Sequence, residues 1–261
     1  MQPWQQEGQK LEVSIRPETF PLAIKIFPSG EPLPAKVKKP ARDLGVQVAL
    51  CQAVGMARRY GWTLAIDQED QSCPIAHIAF GFQPSLPFYE EGHLACGMYV
   101  QNKEAAVRSE AIIPKLTEQE RGTVVMAPLT KANFEPDLLL LYGNSAQIMR
   151  LVAASLYFEG GAMETHISPR ADCAHSIIGT LQEEKAKVIL PCYGDRIFGQ
   201  TQDHEMAFTL PYKELKQLLI GLEGTHRGGI RYPVPTYLRY QVHYPPNYEK
   251  LKKMWEEKEE A

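Results

Sequence analysis

Short apolar runs typical of β-strands alternate with longer segments whose apolar residues recur at helical spacing, and this alternation constrains the fold more than any other feature. The predicted strands lie at residues 21–27, 62–66, 122–129, 136–143 and 162–167, with further strands joined by a Gly/Asp turn within residues 187–211. The predicted helices lie at residues 45–60, 73–82, 102–116, 145–161, 173–181, 212–224 and 249–261. This mixture predicts an α/β or α+β fold with additional antiparallel strands.

The length and composition fit one large folded body. A chain of 261 residues with 44% hydrophobic content buries enough apolar surface for a single extensive core. We therefore expect residues 1–225 to form one globular domain. Residues 226–261 are rich in tyrosine and proline, and we expect them to form an extension that packs on the domain and ends in a charged helix.

One order of elements occurs twice along the chain. A buried helix, a glycine, a strand, a polar turn, a cysteine and a short apolar helix follow one another in both halves. The matching residues lie 100 positions apart: Gly61 and Gly161, Cys73 and Cys173, and Ile78 and Ile178. The sequence thus predicts two related strand-helix-strand-helix halves, at about residues 15–120 and 121–225, packed together about a pseudo-twofold axis.

Charge and hydropathy exclude several classes of protein. The net charge of -3 and the scattered Lys and Arg residues provide no basic surface, so we expect no nucleic-acid partner. The N-terminus lacks the pattern of a signal peptide, and no apolar run approaches the roughly 18 residues of a membrane span. The sequence therefore predicts a cytoplasmic protein without a membrane partner.

The five cysteines are the residues best suited to chemistry. Their number is odd and the expected compartment is reducing, so metal binding, catalysis or simple burial is favoured over disulfide bonding. A short predicted helix begins at Cys73, after a predicted cap at Ser72, and another begins at Cys173. At the start of a helix, the helix dipole lowers the pKa of a thiol. Two such sites, brought together by the halves, would supply two of the four sulfurs of a metal site.

The other two ligands have to come from Cys51, Cys96 and Cys192. Cys192 is the third choice because it stands between a predicted strand and a glycine-containing turn. Cys51 lies inside a helix predicted to be buried, where it would serve equally well as a small apolar residue, and Cys96 lies in an irregular stretch. Spacing alone leaves the choice between Cys51 and Cys96 open, and no C-x-x-C pair helps to decide it.

Other interpretations of the same residues remain open. A zinc site would combine the cysteines with His77 and His175. A metal-free module would bind a small molecule between the halves while the cysteines are merely packed, and a thiol enzyme would use an activated Cys73 or Cys173. In the Gly-Asp-Arg turn, Asp195 and Arg196 are predicted to form an ion pair.

The segments "CQAVGMARRYGWTLAIDQEDQSCPIAHIAFGF", "EPDLLLLYGNSAQIMRLVAA", "DCAHSI", "LPCYGDRIFG" and "HEMAFTLP" resemble the family called domain of unknown function 169, found largely in archaea and anaerobic bacteria. The resemblance covers about residues 15 to 225 and excludes the tail. It implies that Cys51, Cys73, Cys173 and Cys192 are the ligands, and an anaerobic setting favours an iron–sulfur cluster over zinc. The resulting hypothesis is a [4Fe–4S] protein in electron transfer or reductive metabolism, with a redox protein or a small molecule as partner.

Overall fold

A computed structural model describes residues 1–233 and 242–259. Its central element is a six-stranded sheet in which all neighbouring strands are antiparallel. The order of the strands across the sheet is β2-β3-β1-β4-β6-β5. Their bounds are β1 (Leu22–Pro28), β2 (Leu64–Ile66), β3 (Gly122–Pro128), β4 (Leu138–Gly143), β5 (Lys187–Ile189) and β6 (Met206–Pro211).

Helices surround the sheet and connect its strands. The described residues form α1 (Pro3–Ile15), α2 (Pro40–Leu44), α3 (Leu50–Tyr60), α4 (Pro74–Ala79), α5 (Pro87–Glu90), α6 (Lys103–Ala111), α7 (Ser145–Ser155), α8 (Asp172–Glu183), α9 (Tyr193–Phe198), α10 (Leu215–Arg227) and α11 (Pro246–Glu259). None of these helices is both long enough and apolar enough to cross a lipid bilayer. The mixed helix and strand class predicted from the sequence is confirmed.

The sheet buries both of its faces, because successive side chains of a strand point to opposite sides. One core contains Leu22 and Ile24 of β1 together with the apolar faces of α3, α4 and α8. The other core contains Ala23 of β1 together with α1, α7 and α10. The protein thus has three layers, with α3, α4 and α8 on one side of the sheet and α1, α7 and α10 on the other.

The two halves of the sheet share part of their order of elements. With α2, α5 and α6 left out, the first half runs β1, α3, β2, α4, β3, and with α7 left out, the second runs β4, α8, β5, α9, β6. Each half has one helix of 11 or 12 residues, then a strand of three residues, then a helix of six residues. The strand order β2-β3-β1 in one half mirrors β4-β6-β5 in the other.

This repeat differs from the one predicted from the sequence. Residues 162–167 form no strand and are mostly exposed, so the 100-residue alignment is not confirmed. The counterpart of α3 is α8, not α7, because α7 packs on the opposite face of the sheet. The halves divide between β3 and β4 and not near residue 120, because β3 pairs with both β1 and β2.

Several predicted boundaries also shift. The predicted helix at residues 45–60 begins at Leu50, since Val48 forms a bridge with Gln71. Cys73, and not Ser72, is the N-cap of α4. The predicted Gly/Asp turn after β5 is the helix α9. In the extension, α11 supplies the expected terminal helix, while the middle of the Tyr- and Pro-rich segment, residues 234–241, lies outside the described residues.

Close contact between α3 and α9 depends on glycine. A Cβ atom on Gly55 would lie 2.6 Å from the carbonyl oxygen of Gly199, which is backbone and cannot move aside. A Cβ atom on Gly179, in the middle of α8, would meet only the flexible end of Lys187 at less than 3.4 Å. The first glycine therefore sets the spacing between two helices, whereas the second does not.

We predict that Gly55→Ala lowers the free energy of unfolding by about 1–3 kcal/mol, the usual effect of overpacking, even though Ala favours helix. Gly179→Ala is the matched control and should change it by less than about 1 kcal/mol. Urea denaturation followed by circular dichroism measures both. Equal stability of the two variants would show that α3 and α9 are not held at this distance.

Candidate functional site

Four of the five cysteines lie at the starts of four different helices. Cys51 and Cys173 are the second residues of α3 and α8, which are equivalent helices of the two halves. Cys73 and Cys192 are the N-caps of α4 and α9, which are also equivalent. The repeat thus supplies two cysteines from each half, paired as 51 with 173 and 73 with 192, and not as 73 with 173 as the sequence suggested.

The helices that carry these cysteines pack in pairs across the two halves. Helix α3 packs against α9, and α4 packs against α8. Cys51 Sγ lies 3.8 Å from the carbonyl oxygen of Gly194 in the first turn of α9. Negative charge on other thiols of the four is among the causes that raise the pKa of Cys51 and of Cys173.

Asp172 connects the two cysteines of the second half. Its Oδ1 accepts a hydrogen bond from the backbone N–H of Cys173 at 2.9 Å and from Cys192 Sγ at 3.1 Å. The backbone N–H of Cys192 donates to Oδ2 of the same carboxylate at 3.4 Å. Asp172 is only 4% exposed, so one buried carboxylate fixes the start of α8 against the start of α9.

The environment favours the protonated form of Cys51, Cys173 and Cys192. Burial raises the pKa of Cys51, Cys173 and Cys192, and the negative charges of Asp172 and neighbouring thiolates raise it further. The pKa of Cys192 reaches about 12. The prediction that a helix start lowers the pKa of Cys173 is therefore wrong, because burial outweighs the helix dipole. Without a bound cation, these groups are thiols and not nucleophilic thiolates.

Cys96 differs from the other four cysteines because it does not begin a helix. It sits in a turn between α5 and α6, where its Sγ lies 3.8 Å from the carbonyl oxygen of Gln101. Cys51, the other candidate that the sequence left open for the fourth position, stands in the first turn of α3. The assignment of Cys51 as the fourth ligand stays a prediction.

The arrangement does not match a site for a single metal ion. A tetrahedral zinc ion needs donors about 2.0–2.3 Å from one point. Among the described residues, no three His, Cys, Asp or Glu side chains form such a group. His77 Nε2 is bonded to the carbonyl oxygen of Gln71 at 2.9 Å, and His175 is buried with a lowered pKa. The Cys/His zinc alternative gains no support from these positions.

A buried polar network lies next to the cysteines. Arg58 pairs with Glu205 through two hydrogen bonds of 2.5 and 3.0 Å, and its guanidinium stacks 4.0 Å from the ring centre of Tyr142. Tyr142 and Thr201 both donate to Asp195 Oδ2, at 3.0 and 2.9 Å. Burial and the Asp172 charge raise the pKa of Asp195 to about 8. The network joins α3, β4, α9 and the segment before β6.

Sequence reasoning missed the residues of this network. It predicted an ion pair between Asp195 and Arg196, but Asp195 points inward to Tyr142, and Arg196 donates to the carbonyl oxygen of Gln202 at 3.0 Å. Asp172 directly precedes Cys173, and this adjacency was the available signal. The contacts of Arg58 with Glu205 join positions too distant in the chain for any spacing rule to find.

A polar cavity of about 880 Å³ opens at one end of the sheet, away from the junction of the halves. Its lining comes from the first half alone, including Lys39, Asp67, His77 and Arg121. The metal-free ligand-binding alternative requires a pocket between the two halves. This cavity does not occupy that position.

The family model for domain of unknown function 169, described as an uncharacterised ArCR family, matches residues 10–221. The chain belongs to this family. An uncharacterised protein of Methanocaldococcus jannaschii is 27% identical over 209 residues, which cover 77% of this chain and 86% of the relative. No solved structure shows a significant match to the chain. The resemblance inferred from the sequence is thus confirmed, and all four clustered cysteines lie within the matched range.

The buried pair of Arg58 and Glu205 generates a stability prediction. Glu205→Gln leaves the Arg58 charge without a carboxylate partner and should lower the free energy of unfolding by about 3–5 kcal/mol. Glu223→Gln, which removes an exposed partner of Arg227, should have an effect within about 0.5 kcal/mol. Urea denaturation at neutral pH measures both.

The same pair predicts a pH dependence. Burial raises the pKa of Glu205, but hydrogen bonds from Arg58 and the Gln202 backbone outweigh it, so the pKa lies below the ordinary 4.5. The resulting stabilisation is fully present above pH 4.5 and is lost as the pH falls through the lowered value. Glu205→Gln should therefore weaken the loss of stability below pH 4.5. An unchanged acid dependence would contradict this assignment.

Proposed function

We propose that this protein binds one [4Fe–4S] cluster through Cys51, Cys73, Cys173 and Cys192 and uses it in electron transfer or reductive chemistry. The observation that supports the proposal is the position of four cysteines at the starts of four helices, two from each half of the molecule, with α3 packed against α9 and α4 against α8. Four cysteine thiolates are the usual ligand set of such a cluster.

A [4Fe–4S] cube needs a looser arrangement of ligands than a single ion does. Each thiolate binds a different iron, so the four sulfurs surround a volume and do not converge on one point. Ligands from both halves would close around the cube from two sides.

The charges at the site also favour a bound cationic centre. Several thiols and two carboxyl groups, Asp172 and Asp195, are buried together, and each negative charge raises the pKa of the next thiol. Iron supplies the positive charge that allows such thiols to ionise. As Cys192 loses its proton, Asp172 keeps its hydrogen bonds from the backbone N–H groups of Cys173 and Cys192.

Part of the proposed site packs on the apolar core. Cys73 and Cys173 pack against the core formed by one face of the sheet with α3, α4 and α8. Restricted access of solvent and oxygen protects an iron–sulfur cluster and contributes to its potential. The partner in this proposal is a redox protein or a small molecule that exchanges electrons with the cluster, in the cytoplasm of an anaerobe.

The thiol-enzyme alternative is less consistent with the structure. A nucleophilic cysteine has a lowered pKa and solvent access. Burial instead raises the pKa of Cys173 well above its ordinary value. Nothing in the geometry singles out one thiol of the four as the reactive group.

Anaerobic reconstitution with ferrous iron and sulfide tests the proposal. The wild-type protein should take up about four irons and four sulfides per chain and show a broad absorption band at the blue end of the visible spectrum. Single Ser replacements of Cys51, Cys73, Cys173 or Cys192 should reduce iron content or change the electron paramagnetic resonance spectrum of the reduced protein.

Cys96→Ser is the matched control, because it removes a cysteine of the same chain that lies outside the group. It should retain the iron content and the spectrum of the wild type. A colourless wild-type protein after reconstitution would refute the cluster. If Cys96→Ser lost its iron while Cys51→Ser kept it, the assignment of the fourth ligand would be wrong.

A further inference from the structure

Helix α11 is amphipathic, and its apolar side is exposed to solvent. Tyr248, Leu251 and Trp255 recur at spacings of three and four residues, which places them along one side of the helix. Their exposed fractions are 63%, 46% and 60%. The same helical geometry places Lys253 and Glu257 on the opposite side. The three exposed apolar residues are called the apolar stripe of α11 below.

The rest of the chain does not cover this stripe. Among residues 1–233 and 242–259, no helix or strand makes extensive contact with α11. The contacts at its start are local: the Tyr244 ring stacks on that of Tyr248 with 6.2 Å between the ring centres, and the Tyr244 backbone N–H donates to Glu249 at 3.1 Å. An isolated helix of 14 residues is only marginally stable in water, because helices in proteins gain most of their stability by packing an apolar face.

The order of charges along α11 also opposes the stability of a solitary helix. The first half carries three lysines and the second half two glutamates: Lys250, Lys252, Lys253, Glu256 and Glu257. A helix dipole favours acidic residues near the start and basic residues near the end, which is the reverse order. At a spacing of four residues, lysine before glutamate is also the less favourable orientation of an ion pair.

The same order of charges is self-complementary between two copies of the helix. In an antiparallel pair, the basic half of each copy lies against the acidic half of the other. In a parallel pair, like charges would lie side by side. The charges therefore favour one partner, a second copy of α11, in one orientation.

We propose that α11 pairs with α11 of a second copy of this chain in an antiparallel arrangement that buries the apolar stripe of each copy against that of the other. A lipid surface fits this helix less well, because membrane-surface helices carry a basic polar face and Glu256 and Glu257 would be repelled by anionic lipids. This inference does not depend on the proposed cluster.

The size of the contact predicts weak association. Specific protein interfaces bury about 1,200–2,000 Å² of surface, and one helix of 14 residues from each copy reaches at most the lower end of that range. The dimer should therefore dissociate on dilution.

Sedimentation of the whole protein over a wide range of concentrations tests the proposal. The wild type should change from the mass of one chain to that of two as the concentration rises. Leu251→Glu places a charge in the apolar stripe and should remain a monomer. The matched control is Ile220→Glu, at a residue of α10 that is 43% exposed, and it should dimerise like the wild type. A wild type that is monomeric at every concentration, or a Leu251→Glu variant that dimerises like the wild type, would overturn the inference.

Reversal of charges tests the antiparallel orientation. Replacing Lys252 and Lys253 by Glu gives an acidic helix, and replacing Glu256 and Glu257 by Lys gives a basic one, so each double variant should dimerise less than the wild type. An equimolar mixture of the two should form mixed dimers, and the variant with all four replacements should dimerise again. Double variants that dimerise as strongly as the wild type would overturn the antiparallel pairing.

A lipid partner is a separate outcome of the test. Vesicles of phosphatidylcholine and phosphatidylglycerol should not bind the wild-type protein. A monomeric wild type that sediments with these vesicles, and that loses this binding in Leu251→Glu, would assign the stripe to a lipid surface and overturn the inference.

Discussion

Asp172, Cys192 and Asp195 are buried at the starts of α8 and α9, and this grouping of acidic side chains is the constraint on which the rest of the site depends. Cys51, Cys73 and Cys173, at the starts of α3, α4 and α8, are half-buried. A negative charge on any one of these groups raises the pKa of its neighbours, and the pKa values of Cys51, Cys173 and Asp195 are raised. Such a group is stable either when its members keep their protons or when a cationic centre balances them. Proteins rarely bury so many acidic groups together without a use, because apolar residues of similar volume would pack at lower electrostatic cost.

The similar order of elements in the two halves accounts for the matching positions of the cysteines. A single unit of helix, three-residue strand and six-residue helix presents one cysteine at the start of each helix. The mirrored strand order brings the second copy of the unit to the same layer of the molecule. A ligand set that one half cannot complete is thus completed by the other. The surroundings are not symmetric, since Asp172 and Asp195 have no charged equivalents beside Cys51 and Cys73.

Much of the fold followed from the sequence, because most strands and helices are encoded locally. The apolar run at residues 136–143 gave β4, and Asn102 caps α6 through a hydrogen bond to the Ala105 backbone N–H. The prediction of a strand at residues 162–167 was wrong. Alternating apolar residues favour an extended chain, but a β-strand also needs a neighbouring strand to pair with, and the pattern does not show whether one is present. Local patterns could show where each cysteine lies in its helix, but not which helices meet.

The choice between Cys51 and Cys96 illustrates that limit. Spacing in the chain leaves it open, and the family match covers all five cysteines and so does not decide the matter by itself. The close approach of Gly55 in α3 to Gly199 after α9, residues of different halves, is a tertiary contact that no local pattern encodes. The choice of Cys51 stays a prediction that depends on such packing.

The most direct measurement of the central claim is a crystal structure of anaerobically prepared protein with anomalous diffraction data at the iron edge. The account predicts a compact group of four iron atoms between the starts of α3, α4, α8 and α9, with one sulfur atom of Cys51, Cys73, Cys173 and Cys192 bonded to each. Iron bound elsewhere, or crystals of the anaerobically prepared protein without iron, would contradict it.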